Sequence, residues 1–114
     1  MIYTVDELKN IMVEAQSAAY AAADKFFKDQ LGGIDRYACG FAWTNIYGIK
    51  GNTKLGKAMK AAGYQRNDYE KCIQIWNPSR YGCQNVDTLE AGARAAADVF
   101  KKYGFTAYAG SRLD

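Results

Sequence analysis

The stretch that decides the fold is Asp35–Ala62, which reads DRYACGFAWTNIYGIKGNTKLGKAMKAA. From Arg36 to Tyr47 bulky and small residues alternate, which is the period of a strand with two different faces. The bulky positions are Tyr37, Cys39, Phe41, Trp43 and Tyr47, and those between them include Ala38, Gly40, Ala42, Thr44 and Ile46. We expect helices to pack on the small face, so a loop, a second subunit or a ligand must cover the aromatic face.

A glycine- and lysine-rich loop follows this strand, and a short helix is predicted over Thr53–Ala62. Residues 51–57, GNTKLGK, match the G-x-x-x-x-G-K frame of a phosphate-binding loop. Free amides at a helix N-terminus and two lysines suit an anion. Ala58 stands where an NTPase needs Ser or Thr to hold Mg²⁺, so the frame does not predict hydrolysis. It predicts either phosphate binding through Lys54 and Lys57 or a helix cap with solvated lysines.

A long helix is predicted before this stretch, over residues 4–30. Thr4 and Glu7 form a capping box, and Gly32-Gly33 ends the helix. The apolar residues at helical spacing are Leu8, Ile11, Met12, Ala15, Ala19, Ala22 and Phe26. A helix of ~27 residues is ~40 Å long, whereas a compact domain of this size has a radius of gyration of ~13 Å. We therefore expect one end to overhang and to contact another copy, which favours a homo-oligomer.

Two more strands and a second long helix are predicted after the stretch. Residues 71–77, KCIQIWN, predict a strand that ends at Pro78, and residues 105–112, FTAYAGSR, predict the last strand. Between them, Asp87 with Glu90 three residues later predicts the N-cap of the helix. Its buried stripe consists of Leu89, Ala93, Ala96, Val99, Phe100 and Tyr103, and Gly104 follows its end.

The order α-β-α-β-α-β predicts an α+β fold of the α/β sandwich-like kind, in one domain of residues 1–114. The long N-terminal helix covers 1–33 and the α/β body covers 35–114. We expect a small three-stranded sheet with the long helices packed on one face. In the register that we favour, the open face carries Phe41, Trp43, Gln74, Trp76, Tyr108 and Arg112.

Composition limits the chemistry. The chain has 114 residues, a formal net charge of +3 and no histidine, so histidine-based acid–base catalysis and histidine-containing zinc sites are excluded. We predict no metal and no cofactor. The three cysteines are odd in number and widely spaced, which indicates reduced thiols. We expect Cys39 and Cys72 to be buried and Cys83 to be the most exposed.

No apolar run approaches the ~20 residues that cross a bilayer, and charged residues interrupt the start where a signal peptide would be apolar. We therefore expect a cytoplasmic protein that does not enter a membrane. Charge is uneven along the chain, since residues 1–33 are acidic and residues 48–71 are basic. The basic segment predicts an anion-binding patch or, equally, a solvated helix face.

Two further motifs carry polar groups that suit a ligand. In residues 76–80, WNPSR, Trp76 can stack on a base, Asn77 and Ser79 can form hydrogen bonds, and Arg80 can bind phosphate. The alternative is ordinary turn chemistry at the end of a strand. In residues 111–114, SRLD, we expect Arg112 to contact the ligand. Asp114 would orient Arg112, and Asp35 and Arg36 would join the same network.

Four blocks together, CGFAW at 39–43, Lys57 in its glycine/lysine helix start, IWNPS at 75–79 and SRLD at 111–114, resemble a family of small, largely uncharacterised proteins of tailed bacteriophages. The resemblance covers residues 35–114. It implies an accessory protein in the cytoplasm of an infected bacterium. Many accessory phage proteins of this size act on host defence, and some sequester nucleotide signals in oligomeric pockets.

The sequence therefore predicts a non-catalytic counter-defence protein that binds a small phosphorylated or nucleotide-like ligand. The predicted ligand-binding residues are Trp43, Lys54, Lys57, Trp76, Asn77, Ser79, Arg80 and Arg112. One alternative is an inhibitor that binds a host protein through the aromatic face. Two others are a single-stranded nucleic-acid binder and a metal-independent phosphodiesterase that uses Lys, Tyr or Asp.

Overall fold

A computed structural model of the chain describes residues 2–114 and confirms the α+β class. The elements follow in the order α1 (Val5–Leu31), β1 (Gly40–Tyr47), α2 (Lys54–Ala61), β2 (Arg66–Asn67), β3 (Cys72–Trp76), α3 (Val86–Lys102) and β4 (Thr106–Leu113). The predicted order is right except for β2. This two-residue strand lies between the predicted short helix and the strand at 71–77.

The four strands form one antiparallel sheet in the order β2-β3-β1-β4, so the prediction of three strands is wrong by one. β2 pairs with β3 only through Arg66↔Ile73 and Asn67↔Cys72. From β1 to β4 the connectivity is β-α-β-β-α-β with β1 and β3 in the centre, as in the split βαβ motif. The side chains of the two central strands therefore decide what the sheet presents.

The helices lie on one side of the sheet, as predicted. α3 packs on β1 and β4, where the buried side chains of Ala42 and Ala107 let it approach closely. The Thr44 hydroxyl donates a 2.8 Å hydrogen bond to the Ala93 carbonyl across this contact. α1 packs along α3, and a side chain at Gly92 would approach the Ala19 carbonyl oxygen to 3.1 Å. Small residues therefore set the spacing of both layers.

Residues in the left-handed region limit two strands. β1 begins at Gly40 and not at Arg36, because Tyr37 has φ 68° and cannot continue a strand. Lys71 (φ 54°) and Asn77 (φ 40°) flank β3 and confine it to Cys72–Trp76. The sequence-based limits of both strands were too wide for this reason.

The N-cap of α3 is Asn85, and the prediction of Asp87 is wrong. The Asn85 side-chain oxygen accepts from the Thr88 amide at 2.8 Å and from the Thr88 hydroxyl at 2.9 Å. The amide group of the same side chain donates to the Arg36 carbonyl. Asn85 therefore both starts α3 and fixes the loop before β1, whereas Asp87 lies in the first helical turn.

α1 spans the body without an overhang. The molecule measures 45 Å along its longest axis, and both ends of the helix are packed on the rest of the chain. At the N-terminal end the Tyr3 hydroxyl donates to the Tyr103 carbonyl, and at the C-terminal end Leu31 is buried. The predicted overhang is therefore wrong, and it no longer supports a homo-oligomer. Across residues 2–114, no helix combines the length and the apolar character needed to cross a bilayer.

Two tyrosine–carboxylate contacts tie α1 to the rest of the chain. The Tyr81 hydroxyl donates to Asp24 at 2.7 Å, and the Tyr103 hydroxyl donates to Glu14. The hydrogen bond from Tyr81 and a second from Lys28 hold the pKa of Asp24 below its usual value. The Asp24 contact raises the pKa of Tyr81 to about 12.

We predict that Tyr81→Phe destabilises the chain most between about pH 5 and pH 10. The lowered pKa of Asp24 gives stability that is present above its unfolded value and is lost as the carboxylate protonates in acid. The raised pKa of Tyr81 gives stability that is lost as the phenol ionises in strong base. Urea unfolding measured from pH 3 to pH 11 tests this. Tyr69→Phe, at a fully exposed tyrosine, is the control and should leave stability unchanged throughout. A Tyr81→Phe effect that is equal at pH 3 and pH 7 would contradict the prediction.

Candidate functional site

The side of the sheet away from the helices carries a continuous set of large side chains, here called the aromatic face. Its residues are Phe41, Trp43, Asn45, Tyr47, Gln74, Trp76, Tyr108 and Arg112. The register places Trp43 beside Trp76, Phe41 beside Arg112, and Asn45 between Gln74 and Tyr108. The structure thus brings together all six residues that the sequence placed on the open face.

Arg112 lies over two aromatic rings at one end of this face. Its guanidinium carbon is 5.4 Å from the centroid of Phe41 and 6.0 Å from that of Trp76. The Trp43 and Trp76 rings are 5.1 Å apart and tilted by 44°. A planar cation over aromatic rings is stabilised by the ring quadrupole and keeps its outer donors for an anion. We call these four side chains the Arg112 cluster.

The Arg112 cluster is open to solvent, and Trp43 lies at its base. Trp76 is 51% exposed and Phe41 is 40% exposed. Trp43 is more deeply set, because its indole lies over Gly110, where any Cβ would come within 2.4 Å of Nε1. The glycine therefore lets Trp43 lie flat on the sheet beneath the rim that Phe41 and Trp76 form.

A chain of hydrogen bonds fixes the orientation of these rings. The Trp76 Nε1–H donates to Gln74 Oε1 at 2.7 Å, and Gln74 Nε2 donates to Asn45 Oδ1 at 3.0 Å. Asn45 Nδ2 in turn donates to the Tyr47 hydroxyl at 3.0 Å, and Asn67 Nδ2 donates to Gln74 Oε1 at 3.1 Å. The aromatic face is therefore preorganised, and a ligand would not have to order Trp76 on binding.

A second aromatic pair lies at the other end of the same face. The rings of Tyr47 and Tyr108 are 6.2 Å apart, and Lys101 Nζ is 5.2 Å from the centroid of Tyr108. Along β1, the four steps from Trp43 to Tyr47 separate the two ends by ~13 Å. Sequence reasoning missed Asn45, although the period-two alternation of β1 places it on the aromatic face.

The turn after β3 is mainly structural. Ser79 is only 3% exposed, and its hydroxyl donates to Asn77 Oδ1 and accepts from the Tyr81 amide. Asn77 adopts φ 40°, and its own amide donates to the Ala42 carbonyl of β1. Both residues thus maintain the turn, which supports the turn-chemistry interpretation for them. Arg80 is exposed in the same turn and has φ 53°.

Lys54 and Lys57 lie on α2, whereas the Arg112 cluster lies on β1, β3 and β4. They follow the far end of β1, in a helix that packs against α1. Lys54 lines a small groove with the N-terminal residues of α1. The Thr53 hydroxyl accepts from the Gly56 amide at 3.1 Å, so this amide is already bonded. The helix-cap interpretation of the G-x-x-x-x-G-K frame is the one that the geometry favours.

We predict that Gly56→Ala destabilises the chain by about 1–3 kcal/mol, since the new Cβ would meet the Lys50 carbonyl oxygen at 2.1 Å. The control is Gly51→Ala in the same loop, where the nearest atom is 3.8 Å away and the effect should stay within about 0.5 kcal/mol. Urea unfolding of both variants measures the difference. A Gly56→Ala chain as stable as the unmodified one would show that this glycine does not serve packing.

The C-terminal network predicted around Arg112 is also wrong. The Asp114 amide donates to the Cys39 carbonyl and prolongs the pairing of β4 with β1. The Asp35 carboxylate accepts from the amides of Gln84 and Asn85. Arg36 lies over the ring of Tyr37. The rings of the cluster, and not a carboxylate, therefore position Arg112.

The three cysteines differ in exposure. Cys39 is exposed and Cys83 is half-buried, so the prediction is wrong for these two residues and confirmed for the buried Cys72. Burial raises the pKa of the Cys72 and Cys83 thiols, which opposes formation of a nucleophilic thiolate. Within residues 2–114, no group of three His, Cys, Asp or Glu side chains could hold a metal ion.

A groove of about 700 Å³ lies elsewhere, between α2, β2 and the end of β1. Arg66 lines this groove, but its guanidinium is bonded to Asp68 and to the Ile49 carbonyl. Its positive charge is therefore already paired within the chain.

No known protein family, characterised protein or solved structure matches the sequence.

Proposed function

We propose that the chain is a non-catalytic binding protein for a nucleotide-like ligand, which stacks on the Arg112 cluster. The observation that carries this proposal is the exposed guanidinium of Arg112, which lies over the rings of both Phe41 and Trp76. A base would stack on the rings, while the outer donors of Arg112 bind a phosphate. None of the four side chains of the Arg112 cluster is acidic, so the cluster itself holds no negative charge that would repel such a ligand.

The proposal narrows the set of ligand contacts that the sequence predicts. Trp43, Trp76 and Arg112 stay in it, and Phe41 joins them. Lys54 and Lys57 leave the set because they lie on α2, which packs against α1. Asn77 and Ser79 leave it because their side chains maintain the turn. Binding without turnover is proposed because the three rings of the Arg112 cluster carry no group that transfers a proton at neutral pH, and its guanidinium stays protonated.

The biological setting is part of the proposal and comes from the resemblance to phage proteins. An accessory protein made in an infected bacterium would use this face to sequester a nucleotide signal of host defence. Sequestration needs affinity and not chemistry, which agrees with a preorganised cluster of three rings and one guanidinium.

A single-stranded nucleic acid is the second candidate ligand, and the Tyr47–Tyr108 pair favours it. Two stacking positions ~13 Å apart on one face suit two bases of one strand that are about two nucleotide steps apart. Four-stranded sheets with aromatic residues on the open face bind RNA in this way. Lys101 beside Tyr108 would contact the backbone phosphate of such a strand.

Calorimetric titration with ADP-ribose, cyclic dinucleotides and a short uridine oligonucleotide tests the proposal. We predict that Trp76→Ala weakens binding of the preferred probe by about 10- to 100-fold, since a stacked base is worth ~1–3 kcal/mol. Arg112→Lys should weaken it too, because an ammonium neither stacks on the rings nor offers the paired donors of a guanidinium. Tyr69→Ala, at an exposed tyrosine outside the aromatic face, is the control and should change the affinity less than twofold.

The pattern of affinities separates the candidates. Tight binding of one mononucleotide or cyclic probe supports sequestration. Affinity that rises with oligonucleotide length and falls steeply with salt supports a single-stranded nucleic acid as the ligand. No binding below millimolar concentration for any probe would overturn both. A stable complex with a host protein, lost in Trp76→Ala, would instead favour the inhibitor predicted as an alternative from the sequence.

A further inference from the structure

The two edges of the sheet differ. β2, at one edge, has two residues, whereas β4, at the other, has eight and pairs with β1 without a bulge from Gly40↔Leu113 to Tyr47↔Thr106. β4 contains no proline. Its outer side pairs with no other strand of residues 2–114. Proteins usually protect edges of this length, because a row of free backbone groups invites another strand.

The hydrogen bonds show which backbone groups form this free edge. The Asp114 amide bonds to the Cys39 carbonyl, so residues of even number on β4 bond to β1 in the alternating antiparallel pattern. The β1 residue Ala42 confirms the alternation, because its carbonyl turns away from β4 to accept from Asn77. Ala107, Ala109, Ser111 and Leu113 therefore direct their N–H and C=O groups outward.

We propose that two copies of the chain pair through this edge, with β4 antiparallel to β4 and a twofold axis at Ala109. Both Ala109 residues then exchange hydrogen bonds, and Ala107 of each copy pairs with Ser111 of the other. The result is one continuous eight-stranded antiparallel sheet.

The position of α3 fits this arrangement. α3 packs on β1 and β4 together, so its axis lies between them. With strands ~4.8 Å apart, the twofold places the two α3 helices ~10 Å apart and antiparallel. Helices in direct contact are separated by ~8–10 Å. The same axis that pairs the strands therefore also packs the helices.

The charges along α3 select a second copy as the occupant. A groove of about 340 Å³ runs along the β4 edge, and its charged lining residues are Arg94, Asp98 and Lys101. The side chains of Arg94 and Asp98 are 72% and 77% exposed. Within the copy each pairs with a charge on α3 itself, Arg94 with Glu90 at 2.6 Å and Asp98 with Lys101 at 4.0 Å. In the twofold arrangement Arg94 of each copy faces Asp98 of the other, while Lys101 comes near Glu90. A foreign strand with one sign of charge would meet a like charge in this groove.

The second copy would also complete the aromatic face. With Ala109 on the axis, Tyr108 of one copy lies across from Gly110 of the other. Trp43 lies over Gly110, so Tyr108 of the second copy would come beside this indole. Each Arg112 cluster is thereby extended by a ring from the other copy.

Sedimentation equilibrium of the full chain without ligand tests this inference. We predict a species of twice 12.6 kDa. Arg94→Asp and Asp98→Arg should each raise the dimer dissociation constant at least about tenfold, because each places like charges face to face. The double variant Arg94→Asp/Asp98→Arg should restore it to within about threefold of the original. Lys9→Asp, the same charge change at an exposed position of α1, is the control.

Ala109→Pro provides a second test, since it removes an edge N–H that bonds to no strand within the copy. It should also produce a monomer, and circular dichroism verifies that each variant is folded. A chain that stays monomeric at about 1 mM would overturn the inference. So would a dimer that is insensitive to both charge reversals. Because no nucleotide is present, these results are independent of the proposed ligand.

Discussion

The close packing of α3 on the small-residue side of β1 and β4 is the constraint on which the rest of the structure depends. Ala42, Thr44 and Ala107 have almost no exposed surface, and the Thr44 hydroxyl bonds to the Ala93 carbonyl inside the contact. Side chains alternate along a strand, so the neighbours of each small residue that contacts the helix lie on the opposite side of the sheet. Phe41, Trp43, Tyr47, Tyr108 and Arg112 are thereby placed on a side that the helices do not cover.

The proposed function follows from how this uncovered side is organised. Exposed aromatic residues would normally be mobile, but the bonds from Trp76 through Gln74 and Asn45 to Tyr47 hold the rings in place. The Trp43 indole is supported by Gly110, and Arg112 is supported by the rings around it. This preorganisation reduces the entropic cost of binding a flat ligand. The helices packed on the opposite side of the sheet keep the strands rigid.

Local patterns predicted the elements well, and long-range contacts explain the errors. The Thr4–Glu7 capping box, the glycine stops of the helices and the alternation in β1 depend on neighbours in sequence, and the structure confirms them. Asn85 displaced Asp87 as the cap because a contact with Arg36, 49 residues away, anchors it. In the sequence, the lysines of α2 and the tryptophans of the sheet look like parts of one binding site, because lysines suit a phosphate and tryptophans suit a base. In the structure, the turn after Tyr47 separates them. No local pattern reports that turn's direction.

The most direct test is an NMR titration of the ¹⁵N-labelled chain, because its two tryptophans give two indole N–H signals. The probes are ADP-ribose, a cyclic dinucleotide and a uridine oligonucleotide. With the probe that binds, we predict that both indole signals and the Phe41 and Arg112 amides shift together, while the amides of Lys54 and Lys57 do not. Shifts confined to Lys54 and Lys57, or none at millimolar concentration of any probe, would contradict the assignment of the aromatic face as the binding site.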